Sequence, residues 1–226
     1  MIFKLLLCIG FALNAVTSAT AWAKPLTDGV SGSANFDAAP GLILLSGQQN
    51  LAPRFGLVAG YQRESFLQGS VEPLGERSAE NTYSGWMFGT NALVAKILGE
   101  NWRASSVASF GLGGMKGPVH DHSTAWAKLG ADIETRHVLF DAFVEAQRGT
   151  AGMPAINALE VRTGYSPTEP DLNSVQPWFL IAWRSRTGTG DSRVFAMLRL
   201  LSGKWWLELG ASLTNSDKLL SFSVAL

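Results

Sequence analysis

The sequence predicts an all-β protein: an antiparallel up-and-down transmembrane β-barrel of about twelve strands, with ten as the alternative, after a cleaved signal peptide. Three observations predict it. Segments of about ten residues alternate between apolar and polar side chains with period two. Charged residues make up only 16% of the chain, against the ~25% usual for soluble domains. The connections between alternating segments are mostly short at one end and long at the other, as a spanning barrel requires.

The N-terminus carries the features of an export signal. Lys4 supplies positive charge, Leu5 to Val16 is an apolar stretch broken only by Asn14, and Ala21-Trp22-Ala23 offers small residues for cleavage. Residues 1–23 are therefore expected to be a signal peptide and residues 24–226 the barrel. The apolar stretch is too short for a spanning helix, which needs ~20 residues. Cleavage removes Cys8, the only cysteine, so the mature chain has neither a disulfide nor a thiolate ligand. It also removes Lys4, leaving 17 basic residues against 18 acidic ones. Nothing here is basic enough to attract nucleic acid.

The strands follow in order. A weak alternation near Val30 to Phe36 and a clearer one over Gly41 to Gly47 precede about ten more from Arg54 onward. Ala127, Leu129, Ala131 and Ile133 are set against Lys128, Gly130, Asp132 and Glu134. In the next run Val138, Phe140, Ala142, Val144 and Ala146 alternate with Leu139, Asp141, Phe143, Glu145 and Gln147. Leu159, Val161 and Tyr165 oppose Glu160 and Arg162; Phe179, Ile181 and Trp183 oppose Arg184 and Arg186; Trp205, Leu207, Leu209 and Leu213 oppose Glu208, Ser212 and Thr214. One face suits hydrocarbon and the other water. Tight turns are expected at Gly99-Glu100-Asn101, Thr135-Arg136-His137 and Ser202-Gly203-Lys204. Longer links run from Leu67 to Thr82, Gly114 to Ser123, Gly149 to Ile156 and Thr187 to Asp191. The link from Ser166 to Gln176, with Pro167 and Pro170, is long for the tight-turn end. Trp86, Trp102, Trp126, Trp178, Trp205 and Trp206 lie near strand ends, where an aromatic girdle sits at lipid headgroups.

In the last segment Leu220, Phe222, Val224 and Leu226 form one apolar row, while Ser221, Ser223 and Ala225 are small or polar. This resembles the C-terminal signal of bacterial outer-membrane β-barrels, which usually ends in Phe or Trp where this chain has Leu226. The resemblance implies an outer-membrane location, with the periplasm as the alternative. It also implies contact with outer-membrane lipids, lipopolysaccharide and the barrel-assembly machinery, and a monomer is expected. A secreted soluble sandwich or lipocalin-like barrel is the competing fold, because alternation does not say which face points inward.

The polar face supplies the candidate site. Lys128, Asp132, Glu134, Asp141, Glu145, Glu160, Arg162, Arg184, Arg186, Arg199 and Glu208 all fall on it. Asp132, Glu134, Asp141 and Glu145 come from two successive strands, and Arg162, Arg184, Arg186 and Arg199 from those that follow, so an acidic wall is expected to face a basic one. Such charges either cross-link into a plug of ion pairs or set a transverse field across a narrow pore.

His120-Asp121-His122 is the other constellation. At strand spacing the two histidines project to one side and are weak candidates for a shared metal or an Asp-His general base. Ser123 stands beside them as in barrel hydrolases, but no G-x-S-x-G elbow is present. Gly111-Leu112-Gly113-Gly114 lacks the helix and Lys of a phosphate loop. No catalytic residue, metal or cofactor is therefore assigned. The expected function is a non-enzymatic envelope barrel, a narrow pore or structural barrel with a charged lumen. The alternatives are an enzyme acting on lipid or peptide through the His120/His122 loop and an accessory barrel for envelope polymer export.

Overall fold

Alternating sequences form strands here because each pleated strand sends successive side chains to opposite faces. The computed structural model describes residues 32–39, 41–67, 80–150, 152–169, 174–187, 192–203 and 205–225. The signal peptide expected over residues 1–23 lies outside them. The strands are β1 (Gly32–Ala39), β2 (Leu42–Ala52), β3 (Phe55–Leu67), β4 (Glu80–Leu98), β5 (Trp102–Lys116) and β6 (Asp121–Thr135). They continue as β7 (Val138–Gly149), β8 (Ile156–Tyr165), β9 (Gln176–Arg186), β10 (Arg193–Leu201), β11 (Trp205–Ser212) and β12 (Lys218–Ala225). All neighbours pair antiparallel, and β1 pairs with β12, so the sheet closes into a twelve-stranded barrel. The weak alternation near Val30 to Phe36 is a true strand, and its partner across the seam is the terminal apolar row: Phe36 stands opposite Phe222 and Ala38 opposite Leu220.

The two faces separate as the alternation requires. Leu45, Leu57, Phe88, Phe110, Leu129, Phe140, Val144, Ile181, Leu209 and Phe222 are exposed on the outside, while Gln48, Gln62, Glu64, Asn91, Glu160, Arg162 and Glu208 are buried inside. An apolar surface that runs round the whole circumference is far larger than the patches soluble proteins leave in water. Closure meanwhile satisfies the sheet edges that hydrocarbon cannot.

Three expectations are corrected. The link placed between Gly114 and Ser123 spans only residues 117–120, because Met115 and Lys116 pair with His122 and Asp121 and extend the hairpin. Trp126, Trp178 and Trp206 are buried inside the barrel, whereas Trp86 and Trp102 are exposed outside. The reason is parity: Trp126, Trp178 and Trp206 lie an even number of residues from Lys128, Arg184 and Glu208 and so share their face. The long Ser166–Gln176 link is partly accounted for by its first residues. Buried Ser166 exchanges contacts with the β6–β7 turn, its N–H donating to His137 O at 2.9 Å and its carbonyl meeting His137 Nδ1 at 2.9 Å. Its hydroxyl accepts from Gln176 Nε2 at 3.2 Å, so the two ends of the link are tied to each other and to the β6–β7 turn.

The β4–β5 hairpin admits no side chain at its closest approach. A Cβ on Gly111 would lie 2.0 Å from Phe88 O, and one on Gly89 2.3 Å from Phe110 O. Glycine is required by backbone proximity here.

Candidate functional site

The strands that carry the inward charges bring them into one connected network. Arg162 on β8 is buried at its centre: its Nε lies 2.7 Å from Asp141 Oδ1 on β7 and 3.4 Å from Glu160 Oε1, and its Nη1 is 3.4 Å from Glu208 Oε2 on β11. Glu208, fully buried, also accepts from Arg199 Nε on β10 at 2.5 Å. Glu160 is shared with Arg184 on β9. Arg162, Glu160 and Glu208 thus each have more than one counter-ion, which is the arrangement that offsets desolvation.

A second cluster crosses the lumen. Arg186 Nε on β9 donates to Glu64 Oε1 on β3 at 2.7 Å, and Arg186 Nη2 lies 3.5 Å from Glu145 Oε1 on β7. In a ring of twelve strands β3 and β9 are diametrically opposite. Gln62 Nε2 donates to Glu64 Oε2 at 2.6 Å and reaches Gln147 Oε1 at 3.4 Å, extending the brace from β3 to β7. Lys128 faces Glu145 in register and sets its ammonium 3.7 Å from the Phe143 ring centroid, a cation–π contact. Nearer the short-turn end Arg103 pairs with Glu134 at 2.5 Å, and Asp132 accepts from Ser105 Oγ.

All eleven charged positions expected on the polar face are on the lumen side, but they do not form two opposed walls. The acidic β6–β7 sector adjoins the basic β8–β10 sector because those strands are neighbours in the ring, and Glu160 and Glu208 are interleaved with the arginines. The carboxylate that does face the basic sector across the lumen is Glu64. Sequence reasoning missed Glu64, with Gln48, Gln62, Asn91 and Arg103. Along β2 and β3 the outward neighbours Gln49, Arg63 and Ser65 are polar as well, so period two gives no clear signal at these positions.

Apolar side chains fill the rest of the interior. Trp178, Leu180, Phe195, Met197 and Leu219 form a cluster on β9, β10 and β12, with Leu139. Phe66, Tyr83, Met115, Met153 and Ile156 form another at the long-link end. Met153 belongs to the β7–β8 link and reaches in over the mouth, held by Thr150 N donating to Ser123 O at 2.9 Å and Tyr83 OH to Gly152 O at 3.4 Å.

The histidines are not brought together into a catalytic set. His122 lies within β6, buried, with Tyr83 at 5.6 Å between ring centroids and Thr150 Oγ1 3.4 Å from its Nδ1. His120 is exposed in the turn, and Ser123 points to the opposite face from His122, as adjacent strand residues must. A hydrolase-like pairing of Ser123 with His122 is therefore not formed. His137 sits at the other end, its Nε2 3.3 Å from Glu169. Among the described residues no three His, Cys, Asp or Glu side chains converge to hold a metal.

The chain is similar to solved structures described as "KdgM porin" (11% identity over 87% of this chain and 99% of that one, TM-score 0.45) and "KdgM porin in complex with disordered oligogalacturonate" (10%, 87% and 99%, TM-score 0.46). It is also similar to "CdiB from Acinetobacter baumannii" (9% identity over 86% of this chain and 59% of that one, TM-score 0.31). No protein-family model and no curated protein matches the chain. Identities this low transfer no residue roles. The resemblance to outer-membrane β-barrels holds at the level of fold, a closed antiparallel barrel of twelve strands.

Proposed function

We propose that this chain is a non-enzymatic outer-membrane barrel whose lumen is braced shut to ions. The apolar circumference supports the membrane location, since a water-filled periplasm offers nothing to cover it. Lipid and lipopolysaccharide are the partners that surface implies, and the barrel-assembly machinery the one implied by the terminal strand. The observation that carries the closed lumen is the brace between opposite walls: Glu64 to Arg186 at 2.7 Å, backed by the Arg162–Glu208 cluster. A hydrated ion passing this level must displace buried ion pairs, and the wall offers no substitute for its water shell.

Planar-bilayer recording of the purified protein tests the reading. Wild-type protein is expected to insert without steady ion-conducting steps, and the double change Glu64→Gln with Arg186→Gln to introduce them by removing the cross-lumen brace. Steady, large steps from the wild type at low voltage would refute the closed lumen.

A further inference from the structure

The apolar outer wall is not evenly covered, and the register shows where it is thin. On β9 to β12 and β1, one line of outward residues runs across the sheet as Phe179, Leu198, Leu209, Leu220 and Ala38. The next outward line toward the long-link end runs Ala196, Ala211 and Lys218. Two methyl groups thus stand beside a line of leucines, and the wall is dented there. A groove of about 960 Å³ is lined by both lines. Phe179, Leu209 and Leu220 are its exposed apolar walls, and Lys218 stands at the end of it nearest the β11–β12 link.

Lys218 is exposed, and its neighbours leave its charge available. Asp217 beside it is committed to Arg193 Nη1 at 2.7 Å and accepts from Asn215 Nδ2 at 2.8 Å. Among the described residues no carboxylate lies within ion-pair distance of the Lys218 ammonium. The rest of the outward rim at this end is cationic too. Arg63 and Arg148 are exposed and point outward, since Gln62, Glu64 and Gln147 beside them are buried. Their cross-strand neighbours are Ile43 and Ser84 for Arg63 and Ala125 for Arg148. Lys116 points outward there as well, opposite Asp121.

A cation at one end of an apolar depression matches a lipid that carries phosphate on its headgroup and acyl chains beneath it. We infer that the groove on β9 to β12 holds one molecule of the outer leaflet's phosphorylated glycolipid, lipopolysaccharide. A phosphate sits on Lys218, and an acyl chain packs over Ala196 and Ala211 between Phe179 and Leu220. The inference rests on the proposed membrane location and takes the long links to face the cell exterior. Apolar contact alone gives no preference, because every surrounding lipid tail is equally apolar. Selectivity comes from the close approach that the two alanines permit, combined with the charge above them. A second copy of this chain is the poorer occupant, since it would bring its own cationic rim to the same level, where like charges repel.

The test is native mass spectrometry of the detergent-purified protein titrated with rough lipopolysaccharide, with its dephosphorylated form and with phosphatidylglycerol. Wild-type protein is expected to hold a single lipopolysaccharide molecule and to bind the other two lipids more weakly. Lys218→Glu is expected to weaken lipopolysaccharide binding roughly tenfold or more, and Lys218→Arg to retain it. The double change Ala196→Phe with Ala211→Phe fills the depression and is expected to abolish binding. Ala142→Phe, outward on β7 and away from the groove, is expected to leave it intact. Heat-modifiable gel migration checks that each barrel is folded. Because Lys218 is exposed, its replacements decide the matter even if the filled groove does not fold. Undiminished binding by a folded Lys218→Glu or filled-groove variant would overturn the site, and so would equal binding of the dephosphorylated lipid. Preference for phosphatidylglycerol, or a wild-type dimer that the filled groove abolishes, would overturn it in favour of another occupant. Recovery of the wild type as a soluble, detergent-free monomer would instead overturn the membrane location on which the site rests.

Discussion

Replacing Glu208 by Gln removes one negative charge from the centre of the buried network and almost no volume. Glu208 is fully buried and receives Arg199 Nε at 2.5 Å and Arg162 Nη1 at 3.4 Å. Removing one partner of a buried pair costs about 3–5 kcal/mol, because the remaining ion stays desolvated. Arg162 retains Asp141 at 2.7 Å and Glu160 at 3.4 Å, so the loss falls mainly on Arg199, whose side chain is 13% exposed and can recruit some water. The expected loss is therefore at the lower end, about 3 kcal/mol. Urea titration of the protein folded in lipid vesicles, followed by far-UV circular dichroism, reads it as a lower midpoint with unchanged slope. Combining Arg199→Gln with Glu208→Gln is expected to cost less than the two single changes together, with a coupling of roughly 1–3 kcal/mol. Because the pair is buried, moderate salt should alter little. A loss below about 0.5 kcal/mol, the range of ordinary surface changes, would refute the claim that this network braces the fold.

Cysteine replacements at Val144 and Leu209 are expected to react with a bulky lipid-soluble maleimide in folded protein, and those at Asp141 and Arg199 are not; the reverse pattern would mean the register is displaced by one residue. Brominated lipid acyl chains are expected to quench Trp86 and Trp102 but spare Trp126, Trp178 and Trp206, which single-tryptophan variants can separate. Gly111→Val is expected to prevent the heat-modifiable folded form from accumulating, since its Cβ would sit 2.0 Å from the Phe88 carbonyl, far beyond ordinary overpacking of about 1–3 kcal/mol. The double change His120→Gln with His122→Gln is expected to leave any lipid- or peptide-cleaving activity of the preparation unchanged; its loss from a folded barrel would restore the enzyme reading.

The strand-by-strand organisation was legible because period two is a local property: Leu129, Ile133, Val144 and Phe179 announce the outer face from their immediate neighbours. The inward turn of Trp126, Trp178 and Trp206 was equally written in that parity, but position near strand ends suggested a girdle instead. Pairing across the lumen was not legible at all. Glu64 meets Arg186 through the curvature and tilt of a closed sheet, and no short-range pattern encodes which residues from strands six apart will arrive at one height. His122 shows the same limit at smaller scale. Its neighbours Gly117 and Pro118 read as an extended loop, yet pairing of Met115 with His122 draws the histidine into the strand.

The Glu64–Arg186 contact joins residues 122 positions apart in the chain, and this has a consequence for how the barrel comes into being. A sheet holding only the first half of the strands would present Glu64 without its cation, whereas one holding only the second half would leave Arg186 with Glu145 alone. The first fragment entering hydrocarbon would carry Glu64 uncompensated, at a cost of several kcal/mol. Neutralisation of Glu64 and closure are thus one event, so a sheet of the first half alone has no stable place in the bilayer. Entry should proceed cooperatively, with the two halves curling together before the first is committed to lipid.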